Sequence, residues 1–167
     1  MDRKPNPLQH AIADVIHGMT PDDLTRHPEG KWSTAEILEH LNLTYIGTVK
    51  GLGRCIASGQ TTASLDRSSK RLQRITVTKL GYFPNGRKSP DRVLPRGLPA
   101  EQVKAEILEN VDRMNALIDE CEARFGKRKP IADHPVLGPL TAPEWRKFHL
   151  VHGRHHVKQI LRLKNGA

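Results

Sequence analysis

Thr141-Ala-Pro-Glu-Trp-Arg-Lys-Phe-His-Leu-Val-His-Gly-Arg-His-His156 decides both the fold and the site of this 167-residue chain. Thr141 and Glu144 have the spacing of a capping box, in which a hydroxyl and a carboxylate exchange hydrogen bonds with backbone amides across the first turn. The spacing predicts a helix that opens there and runs to about Lys164. Trp145, His149, His152, His156, Gln159 or Ile160, and Leu163 recur at steps of three and four. They fall on one face, and that face is expected to point inward. Four of the nine histidines of the chain lie between His149 and His156.

Outward from this stretch, the same reasoning yields three more long helices. Leu8, Ala11, Ile12, Val15, Ile16 and Met19 form an apolar stripe, followed by a capped turn with Pro21 at a first helical position. Ser33 and Glu36 form another capping box and open a helix to about Ser58, with Ile37, His40, Leu41, Thr44 and Thr48 on one face. From Leu98-Pro-Ala-Glu101 a third runs through Val103, Ile107, Val111, Met114, Ile118, Cys121 and Phe125. Between Gly59 and Pro99 glycines and prolines break the pattern, leaving a short helix over about Leu65–Leu80 and then an extended loop. His134-Pro-Val-Leu-Gly-Pro-Leu140 cannot be regular helix, and no segment alternates convincingly enough to be a strand. The expectation is an all-α, four-helix bundle in one domain, 1–167, with a long irregular connection between its second and third long helices.

Composition narrows the function classes. At 37% hydrophobic and 27% charged residues, the chain reads as an ordinary globular protein. No apolar stretch follows Asp2, Arg3 and Lys4, so no signal peptide is expected, and no segment approaches transmembrane length. Cys55 and Cys121 have neither the number nor the spacing of a disulfide framework or a cysteine zinc site, in keeping with a cytoplasmic protein. The net charge of +9 is concentrated between Arg67 and Arg96, where nine Lys or Arg face only Asp91. Phosphates attract such a patch, but it has only Tyr82 and Phe83 for base stacking. A small, anionic molecule is the expected partner; nucleic acid and membrane are not, and a homodimer is compatible with the sequence.

Residues four apart on a helix are offset by about 40° and about 6 Å along its axis, so His152 and His156 project together. His40 falls on the inner face of its own helix. Buried imidazoles are costly unless hydrogen-bonded or ligated, and bundle cores accept metal sites. Helical phase alone leaves His149, seven residues before His156, as an alternative ligand or an outer partner. His155, about 60° from His152, is either a surface or a pocket-rim residue, and Gln159 either hydrogen-bonds within the site or is a plain helix-packing amide.

The run Trp32-Ser-x-x-Glu-Ile-Leu-x-His40, with His152-x-x-His155-His156-x-x-Gln159, resembles the DinB superfamily. His134-Pro-x-x-Gly-Pro-Leu-Thr-x-x-Glu-Trp145 and Phe148-His-x-x-His-x-x-His-His156 resemble an uncharacterised branch of it. The resemblance covers the four helices and only weakly the basic segment. It implies a bundle in which His40, His152 and His156 bind a divalent metal, with zinc or nickel the expectation. It further implies a metal-dependent thiol S-transferase that brings a low-molecular-weight thiol cosubstrate to a small electrophile. Alternatives are a non-catalytic metal-binding or stress-related protein, and a metal-dependent hydrolase. Against hydrolysis, Glu36 is committed to its cap and Glu39 lies off the face of His40, leaving no evident general base.

Overall fold

A computed structural model describes residues 6–83 and 88–166. Asp2, Arg3 and Lys4, and Pro84, Gly86 and Arg87 of the basic segment, lie outside the described residues. The described chain is mostly helical: α1 (Pro7–Ile16), α2 (Pro21–Thr25), α3 (Thr34–Ser58), α4 (Arg71–Thr78), a 3-10 turn (Asp91–Val93), α5 (Ala100–Phe125), β1 (Pro130–His134), β2 (Gly138–Thr141) and α6 (Ala142–Lys164). None of these helices is long and apolar enough to cross a membrane. The broad expectation of a helical protein agrees with this, but two details need correcting.

First, a two-stranded antiparallel sheet is present where no strand was expected, pairing Ala132 with Leu140 and His134 with Gly138. Period-two alternation is missing because all four residues of β2 are buried. Gly138, at φ 72°, supplies the left-handed turn residue, and Nδ1 of His134 accepts from the backbone N–H groups of Val136 and Leu137. Second, the helix expected over Leu65–Leu80 shortens to α4. Asp66 accepts from both the amide and the hydroxyl of Ser68, at 2.8 and 2.6 Å, which turns the chain where a helix would otherwise begin.

The chain divides into two compact units, Met1–Ile46 with Gly86–Asp112 and Gly153–Ala167, and Gly47–Asn85 with Arg113–His152. Helices α3, α5 and α6 each contribute residues to both. In the first unit the core is aliphatic, from Leu8, Ile12, Leu38, Leu41, Ile107 and Ile160. In the second it combines Leu52, Met114, Ile118 and Leu140 with Trp145 and Phe148. Cys55 and Cys121 are buried here as free thiols.

Both expected capping boxes form. Glu36 accepts from the Ser33 amide at 2.7 Å and Ser33 Oγ from the Glu36 amide at 3.2 Å. Thr141 and Glu144 repeat the exchange at 2.9 and 3.4 Å. The inward stripe of α5 is fully buried from Val103 to Cys121, whereas Phe125 is only half-buried beneath the Arg124 guanidinium. On α6, Trp145, His149, His152, His156 and Ile160 are all buried and Leu163 is half-buried.

Candidate metal centre

His40 is the seventh residue of α3 and is 3% exposed. Its Nδ1 lies 2.9 Å from the carbonyl oxygen of Val93, the last residue of the 3-10 turn. A carbonyl only accepts, so Nδ1 carries the proton and Nε2 keeps its lone pair. His156 is arranged alike, with Nδ1 2.7 Å from Oε1 of Gln159. Nε2 of the Gln159 amide in turn donates toward Nε2 of His155 at 3.4 Å. The His40 and His156 rings meet edge-on with centroids 4.8 Å apart, and Trp32 stands 5.3 Å from His40.

His152 lies one turn before His156 on the unbroken α6. Phe148 stacks on its ring at 5.2 Å, and Phe83 lies 5.0 Å away. His40, His152 and His156 are buried, and each offers a ring nitrogen within 4.8 Å of the others. Among the described residues no other three His, Cys, Asp or Glu side chains form such a group. These three histidines can form a metal site.

The protonation states fit a cation. Burial lowers the pKa of His40, against the opposing effect of the Val93 carbonyl. Burial, then the charge of His40, lowers His156 to about 3, although Gln159 pulls the other way. Both rings are therefore neutral at pH 7, the form that ligates metal.

The remaining predicted residues separate. His149 is fully buried and absent from the group of three; its Nε2 lies 3.0 Å from Thr48 Oγ1, and its ring stacks on Trp145. His155 is half-buried, with its pKa lowered by burial and then by Arg162 and Lys158. Gln159 touches the site directly.

Part of the basic segment is structural. Nη2 of Arg67 lies 2.9 Å from both carboxylate oxygens of Glu144. Buried Arg74 donates to the carbonyls of Leu137 and Arg67, and Lys70 to that of Pro135.

Glu36, besides its cap, lies 2.8 Å from Nε2 of His27. Glu39 is engaged by backbone amides of Arg96, Gly97 and Leu98. Sequence reasoning placed Glu39 off the face of His40 and gave it no task; its partners are backbone groups more than fifty residues away, which leave no sequence signal.

The family model described as "Protein of unknown function (DUF1569)" matches residues 8–162. No curated protein matches the chain. No solved structure matches it either.

Proposed function

We propose, for a chain that belongs to the DUF1569 family, that His40, His152 and His156 hold a divalent ion, zinc or nickel, in a helical bundle of DinB type. The observation that carries this reading is the pair of acceptors, Val93 O and Gln159 Oε1, that take the Nδ1 protons of His40 and His156. Ligating histidines characteristically donate their other ring N–H to such a group, which fixes the tautomer and aims Nε2. An ion held there would supply a Lewis acid that lowers the pKa of a thiol reaching it.

The favoured reaction is S-transfer from a low-molecular-weight thiol to a small electrophile in the cytoplasm. Sulfur bonds to the electrophilic carbon, the leaving group departs with its electron pair, and the thiol proton passes to solvent. Thiol chemistry is favoured over hydrolysis because Glu36 and Glu39, the carboxylates closest to His40 along α3, are both occupied. Neither is then available as the general base that water attack would need. Trp32 beside His40 and Phe83 beside His152 give the two histidines aromatic neighbours.

Elemental analysis of purified protein tests the first claim. One zinc or nickel per chain, lost in His156→Ala, is expected; metal-free protein that refuses both ions ends the proposal. A thiol screen against a generic electrophile, on the loaded protein, tests the second. Turnover that depends on the thiol is expected, and its absence leaves a metal-binding protein without this activity.

A further inference from the structure

We infer that Glu39 is a positioning residue for the metal centre: it holds the 96–98 backbone so that the Val93 carbonyl meets Nδ1 of His40. This rests on the metal-binding reading above. Glu39 is 2% exposed, and what meets its carboxylate is backbone. Oε1 accepts from the Arg96 amide at 2.7 Å, and Oε2 from those of Gly97 and Leu98 at 3.1 and 3.2 Å. Three successive N–H groups facing one carboxylate form an anion cradle of the kind made by alternating backbone handedness. Gly97 supplies the left-handed residue, at φ 82°.

The two neighbours on α3 thus grip one short strap from opposite chemical sides. His40 donates to its start, at Val93, and Glu39 accepts from its end, three to five residues later. The strap leads directly into α5 at Ala100. If the end is released, the strap's start keeps only the hydrogen bonds of the 3-10 turn among the described residues, from the Val93 amide to Pro90 and from the Leu94 amide to Asp91. His40 then loses the acceptor that selects its tautomer, and its Nε2 is protonated in part of the population. Simple capping of α5 would leave the His40 tautomer alone, which separates the two roles.

The test uses the full chain and zinc as the probe. In metal-free wild type, imidazole 15N NMR is expected to show His40 as the Nδ1–H tautomer. Glu39→Gln places an amide donor against backbone donors and is expected to shift that population toward Nε2–H. Zinc affinity then falls about tenfold, the lower end of what outer partners of ligating histidines contribute. Wild type that takes up neither zinc nor, in a parallel titration, nickel overturns the metal reading itself. Wild type that binds zinc, with a Glu39→Gln protein equal to it in tautomer and affinity, overturns the role of Glu39 alone.

A measurement on wild type covers the case in which Glu39→Gln does not fold. Ligation and strap order are coupled, so zinc must slow hydrogen exchange at the Arg96, Gly97 and Leu98 amides more than at those of α4. Exchange there that ignores zinc overturns the inference.

Discussion

Nδ1 of His156 lies 2.7 Å from Oε1 of Gln159, one turn further along the same helix. The contact holds the ring and would make its Nε2 a better donor to a metal. Gln159→Leu, similar in size but without the acceptor, is expected to weaken zinc binding by about 10- to 100-fold. Gln159→Glu should preserve affinity. Competition against a chromophoric chelator measures both, and a leucine variant that matches wild type contradicts the assignment.

His149 gives a different signature. Burial, then the charge of His134, lowers its pKa from 6.5 to about 3, close to that of metal-free His156. Their unfolded counterparts titrate near 6.5, so on acidification the unfolded chain binds protons first. The stability held above pH 6.5 therefore drains away as pH falls toward 3, at about 1.4 kcal/mol per pH unit for each group. Urea melts of chelator-treated protein from about pH 7.5 to about pH 5.5 read this slope before carboxylates contribute. His149→Asn should reduce the slope and leave one zinc per chain; loss of zinc would make His149 a ligand after all.

Gly153 separates His152 from the next turn. A Cβ placed there runs into Cδ1 of Leu8 and comes within 3.3 Å of its Cγ. Leu8 is 3% exposed and has little room to yield. Alanine would gain about 1 kcal/mol of helix propensity, but overpacking a core costs about 1–3 kcal/mol. A lowered melting temperature is expected for Gly153→Ala, with recovery in the Leu8→Ala, Gly153→Ala double variant relative to the sum of the singles. Strict additivity would show that the two residues do not meet.

Glu144 serves two elements at once, accepting from the amide and hydroxyl of Thr141 and from Arg67. Losing the cap costs about 1 kcal/mol, and the partly exposed ion pair adds about 1 kcal/mol at most. Glu144→Ala should thus lower stability by about 1–2 kcal/mol, and Arg67→Ala by less. Chemical denaturation ranks them, and the reverse order would show that the ion pair outweighs the cap.

Much of this was legible because it is periodic. The inward stripe of α6 needed only a count of threes and fours, and the two capping boxes only a spacing of three. Where burial is two-sided the code fails, as in β2, whose four buried positions give no alternation. It fails again where one partner is a main-chain atom, since every residue has a carbonyl like that of Val93. Glu39 is the clearest case. From sequence it is a charge beside a candidate ligand; in three dimensions it is committed to backbone amides.

Ile131 sits at the register shift between Pro130 and Ala132, where the ladder of the small sheet is interrupted. Its carbonyl accepts from the amides of Thr62 and Ala63 at 2.8 and 3.1 Å, with the Cys55 thiol at 3.6 Å. A strand edge with unpaired backbone groups is a template on which another chain can pair. Here the chain has already docked its own backbone on that position, so the hairpin offers strangers one template fewer.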